Sequence, residues 1–271
     1  MTNLSKLGQR LLNRLQKISP EFSQGFRPGI SREEVNAFLE PLQYTLPNDF
    51  YELYEWRNGH SDYFNQPVRS AMICQFSSTN FVAESKKWEV WGNEAPTYKG
   101  RFLLPFIEED SRYFAIAMGR SYNDEAHIVY VSREGETTLR YDSITSMLIS
   151  TIRCFEENAF YVDENGFLNE NYRSSSEILR SENPKILTEA MSDIMAGFDI
   201  YGLDDESDQG SYGDLVSPLL SALETLRWVR PPGAIAVVQS GLDRLQNKSS
   251  DRAYSARYAF NRWLSDVELA E

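Results

Sequence analysis

Histidine and cysteine are scarce in this sequence, with His60, His127, Cys74 and Cys154 the only examples. Four such scattered residues give neither a disulfide framework nor a zinc cluster, and neither histidine falls in HExxH or another metal-binding spacing. A Cys–His dyad would require the fold to join distant residues, and no flanking signature supports one. The default for both thiols is burial in a reducing cytosol. Basic residues are also short: 27 Lys and Arg face 40 Asp and Glu, a net charge of −13. Gripping phosphate by counterion release needs Lys and Arg, so nucleic acid is not an expected partner. No apolar run approaches the ~20 residues that span a bilayer. There is no signal-peptide pattern either, so the expectation is a cytoplasmic protein without membrane insertion. There is no GxxxxGK[ST] loop and no GxGxxG after a strand. No cofactor and no metal are therefore expected.

What the chain does contain is an ordinary globular composition, 41% hydrophobic and 25% charged, with 13% aromatic residues. Its 271 residues suit one large domain or two smaller ones. Leu4, Leu7, Leu11, Leu12, Leu15 and Ile18 line one side of an N-terminal amphipathic helix, with Lys6, Arg10, Arg14 and Lys17 around the rest. Such a stripe suits a membrane surface or a protein core, and the lack of Trp or Phe anchors favours docking on the core. Residues 19–30 read as a linker whose Phe22 and Phe26 tuck into the surface.

The stretch Ser31–His60 carries the densest local signals. Ser31 and Glu34 form a capping box, followed by Val35, Phe38, Leu39 and Leu42 at helical spacing, with Pro41 helping to close the helix. Leu46-Pro47 opens a second helix with Phe50, Leu53 and Tyr54 on its apolar face, and Asn58-Gly59 is the expected C-cap. This arrangement resembles the SMI1/KNR4 (SUKH) superfamily, whose hallmark is a helix, an LP-x-D/E-aromatic step, and a second helix ending in NG. Leu46-Pro47-Asn48-Asp49-Phe50, Leu53-Tyr54 and Asn58-Gly59 carry the resemblance, which covers about residues 28–160. It implies a binding module without chemistry of its own. Bacterial members are often immunity proteins that neutralise a toxin, frequently a nuclease, and fungal members are similar to regulatory scaffolds.

Read from pattern alone, Met72–Phe76 is a strand and residues 80–91 a helix. Strand-like runs follow at Arg101–Ile107, Arg112–Met118, His127–Ser132 and Thr137–Tyr141, with Glu108-Glu109-Asp110 and Arg133-Glu134-Gly135 as hairpin turns. Ile144, Met147, Leu148, Thr151, Ile152 and Phe155 form a long helix capped by Asp142 or Ser143. Residues 161–182 read as a polar connection, and Asn183-Pro184 starts another helix. An acidic loop over 203–214 and three helices near 215–230, 233–247 and 251–267 complete the chain. The expected fold class is α+β, a mainly antiparallel sheet flanked by helices, followed by an all-helical C-terminal region. The expected segments are 1–27, an N-terminal helix and linker; 28–162, the SMI1/KNR4-like domain; and 163–271, the helical extension. A HEAT-type stack finds no support in a sequence period.

Neighbouring carboxylates at Glu108-Glu109-Asp110, Asp124-Glu125 and Glu156-Glu157 look like turn and helix-surface charge rather than a catalytic pair in a cleft. Asp204–Gly210 departs from a calcium loop, because its Gly falls one place late and Leu215 stands at position twelve. The chain is therefore read as a non-enzyme that binds a protein, either a basic toxin or an intracellular enzyme complex. An acidic surface would speed encounter with a basic partner. Candidate interaction residues near the motif are Tyr51, Glu55, Trp56, His60, Asp62, Tyr63, Glu108, Glu109 and Asp110. In the extension, Arg252, Arg257 and Arg262, interleaved with Tyr254, Tyr258 and Trp263, form a second candidate face. The competing reading is an enzyme with an unfamiliar site in the groove between sheet and helices.

Overall fold

The computed structural model describes residues 3–39, 46–60, 97–98, 101–109, 112–118, 126–132, 137–164, 168–200 and 212–268. The strand expected at Met72–Phe76 and the helix over 80–91 lie outside these residues, as do Asp62, Tyr63, Asp110 and the acidic loop expected over 203–214 as far as residue 211; residues 212–214 are helical instead.

The first helix, α1 (Asn3–Ile18), buries Leu4, Leu11, Leu12 and Leu15, so its apolar stripe faces the core. A short helix α2 (Pro20–Gln24) and a strand β1 (Phe26–Pro28) occupy the stretch expected to be a linker. Helix α3 (Arg32–Leu39) begins with the expected capping box: Ser31 Oγ accepts the Glu34 N–H at 3.2 Å, and the Glu34 carboxylate accepts the Ser31 N–H at 2.8 Å. Helix α4 (Asn48–Trp56) starts after Pro47 and buries Phe50, Leu53, Tyr54 and Trp56.

The expected NG cap is not where α4 ends. Arg57 is already extended (φ −150°), and the chain runs straight into β2 (Arg57–His60), which pairs antiparallel with β1. Asn58 and Gly59 are strand residues, with Gly59 at φ 75°. The carbonyls that a cap would serve are met otherwise: Leu53 accepts the Arg57 N–H, and Tyr54 accepts the Ile30 N–H at 3.0 Å.

Strands β3 (Thr97–Tyr98), β4 (Arg101–Glu109), β5 (Arg112–Met118), β6 (Ile128–Val131) and β7 (Thr137–Tyr141) form one antiparallel meander in chain order. Glu108 and Glu109 belong to β4, opposite Tyr113 and Arg112, so the hairpin turn is shorter than expected. Helix α5 (Ile144–Glu156) follows, capped by Ser143 in a capping box with Ser146. The stretch expected as a connection folds as a hairpin, β8 (Phe160–Val162) with β9 (Leu168–Glu170), and then as helix α6 (Tyr172–Glu182). Helices α7 (Pro184–Ile200), α8 (Tyr212–Val229), α9 (Ala234–Leu245) and α10 (Asp251–Glu268) complete the helical C-terminal region.

The main core draws on all three segments distinguished in the sequence. It joins α1, α4, the sheet and α5 with Leu179 of α6 and with Ile186 and Leu187 of α7. A second cluster lies within α7–α10, including Leu219, Leu226, Val238, Phe260 and Trp263. Helix α8 runs along the edge strand β7, where Thr225 Oγ1 donates to the Leu139 carbonyl at 3.3 Å. An exposed sheet edge is a template for unwanted pairing, and the helical region covers this one.

Candidate functional site

The motif stretch is architecture. Asp49 Oδ2 accepts the backbone N–H of Thr145 at 3.0 Å and its hydroxyl at 3.3 Å, which ties α4 to the first turn of α5. A carboxylate is favoured there by the helix dipole and the orphan N–H groups. Burial pushes the Asp49 carboxyl above its ordinary range, while the bonds from Thr145 pull it back.

The first set of candidate interaction residues divides accordingly. His60 is buried, not exposed at a helix end, because β2 carries it inward against Phe26, with ring centroids 5.0 Å apart and edge to face. Trp56 is buried as well, against Gly8 of α1. Tyr51 is partly exposed with the Arg32 guanidinium 4.4 Å from its ring centre, and Glu55 is exposed, 3.8 Å from Arg32 Nε.

His127 and Cys154 are embedded too. His127 Nε2 lies 3.0 Å from a Glu189 carboxylate oxygen, and Nδ1 lies 3.3 Å from the Asp142 carbonyl. Cys154 is fully buried and its thiol is pushed up to about 12 by burial, which makes it inert. Glu156 is held by Arg10 and Arg14 of α1, and Glu157 by Arg153 of α5. Among the described residues, no group of three or more His, Cys, Asp or Glu could hold a metal ion.

A cleft of about 670 Å³ opens between the end of β6–β7 and helices α8 and α10. Tyr130, Ser132, Thr137, Thr138 and Arg140 form its strand side. Arg140 stands at an irregularity of β7, where Ile128 pairs with Tyr141 and Val129 with Leu139, so Arg140 is the extra residue. Bulges re-aim side chains in this way next to functional sites. The guanidinium lies 5.1 Å from the Tyr130 ring centre, and burial pushes it below its ordinary value, against the attraction of Tyr141 and Glu224.

On the helical side, Ser255, Tyr258, Ala259, Arg262, Trp263 and Asp266 of α10 all face the cleft, a stripe at three- and four-residue spacing. Arg227 of α8 is committed to Asp266 at 3.2 Å, with Glu224 at 3.8 Å. Trp263 is buried and donates its indole N–H to the Leu223 carbonyl at 2.8 Å, fixing α10 on α8. Ser221 Oγ lines the same wall, buried and without a hydrogen-bond partner among the described residues.

The second candidate set is thereby split. Residues five apart on a helix are turned by about 140° from one another, so Arg252, Arg257 and Arg262 cannot share a face. Arg257 points back and donates to the carbonyls of Leu245 and Lys248 at the end of α9. Arg262 lines the cleft beside Tyr258, which is 62% exposed. The Arg252 side chain is outside the described residues. Arg140, Arg227 and Tyr130 escaped sequence reasoning, because only the packing of α8 and α10 on β7 brings them together.

Residues 29–150 match the model of the SMI1 / KNR4 family (SUKH-1), so this part of the chain is similar to that family. The match spans α3, α4 and the sheet and ends within α5, leaving α6–α10 beyond it. No curated protein shows a significant match to the chain. Among the described residues, no helix is long and apolar enough to cross a membrane.

Proposed function

We propose that this protein is a non-enzymatic, intracellular binding module of immunity or adaptor type, acting by engaging another protein. The observation that carries the reading is the SMI1 / KNR4 match over residues 29–150. Two further features support it. The net charge of −13 favours encounter with a basic partner such as a nuclease toxin. The cleft presents Arg and Tyr, the residue types enriched at interface hot spots.

An enzyme working in the groove between sheet and helices is the competing reading, and the cleft itself is what favours it. Its carboxylates speak for binding instead: Asp266 and Glu224 lie 3.2 and 3.8 Å from Arg227, each paired with a cation rather than with the other.

Affinity capture from the native cell, with the full chain as bait and the complex rebuilt from purified components, tests the proposal. We expect one protein to co-purify in stoichiometric amount and, if it is a toxin, to lose its activity as the complex forms. Absence of a stoichiometric partner, together with a turnover by the purified chain that Glu224→Gln abolishes, would overturn the proposal in favour of an enzyme.

A further inference from the structure

We draw no further inference here: the strongest candidate, the cleft between β7 and helices α8 and α10 with Tyr258 and Arg262 on its wall, belongs to the site already described, and nothing in the structure shows what covers it.

Discussion

The Asp142 backbone N–H donates to Asn183 Oδ1 at 3.0 Å, and the Asp142 carboxylate caps the helix that Asn183 introduces, accepting the N–H groups of Lys185 at 3.1 Å and Ile186 at 2.8 Å. Asn183 is fully buried and also donates to Ser150 Oγ and to the Leu179 carbonyl, each at 3.0 Å. One residue at the end of the sheet thus fixes where the helical region begins. The sequence leaves the cap of α5 open between Asp142 and Ser143. That position belongs to Ser143, which frees Asp142 to cap α7.

This junction predicts coupled unfolding. Losing an N-cap costs about 0.5–2 kcal/mol, and orphaning buried polar groups about 1–3 kcal/mol. Asp142→Ala and Asn183→Ala should each lower the urea midpoint of the whole chain, with Asp142→Asn milder. The unfolding should remain one transition, followed equally by far-UV circular dichroism and tryptophan fluorescence. Two separated transitions would show that the sheet and the helices do not share a cooperative core.

Asp49 predicts a pH signature. Its carboxyl is raised in the folded state, mainly by burial, so between the ordinary carboxylate value and the folded one the native state holds more protons than the unfolded. Stability must fall as pH rises through that window and level off above it. In urea titrations across acidic pH, the wild type should gain on Asp49→Asn as pH drops toward the ordinary carboxylate range. Asp49→Ala, which also strands the Thr145 N–H and hydroxyl, should be the less stable variant at every pH. A pH-independent difference between wild type and Asp49→Asn would contradict this account.

Gly8 predicts a substitution that helix propensity alone gets wrong. Alanine in a helix interior gains about 1 kcal/mol over glycine. A Cβ on Gly8, however, would fall 2.5 Å from the Trp56 indole, and overpacking of this kind costs about 1–3 kcal/mol. Gly8→Ala should therefore lower the melting temperature; a raised one would mean that α1 shifts freely on α4.

The two arginines of α10 should behave oppositely. Arg257→Ala removes charge-assisted bonds to the carbonyls closing α9, each worth about 1.5–3 kcal/mol at most, and should cost stability. Arg262→Ala is on an exposed side chain and should leave the denaturation midpoint nearly unchanged. Chemical denaturation of both variants decides the matter, and a midpoint lowered equally by both would remove Arg262 from the list of binding residues.

How far the sequence was legible depends on the length and regularity of each element. The runs over 101–141 alternate and end in turns, so four strands were placed almost residue by residue, and the periodicity of Ile144 to Phe155 gave α5. The hairpin β8–β9 was invisible because each strand has only three residues. Helix α6 is hidden by Ser174-Ser175-Ser176, a run that favours turns and caps, in a first turn capped by the Asn171 side chain. Burial of His60 depended on β1, a strand too short to signal itself. The cleft was illegible for a different reason. Its strand side and its helical side are at least eighty residues apart in sequence, and periodicity shows that a face is apolar without saying what it packs against.

Photo-crosslinking in the native cell tests the central claim most directly. A benzophenone amino acid placed at Tyr258, on the cleft, should cross-link to a single protein. The same probe at Tyr172, which is 70% exposed but does not line the cleft, should not. No cross-link from position 258, or the same products from both positions, would contradict the account.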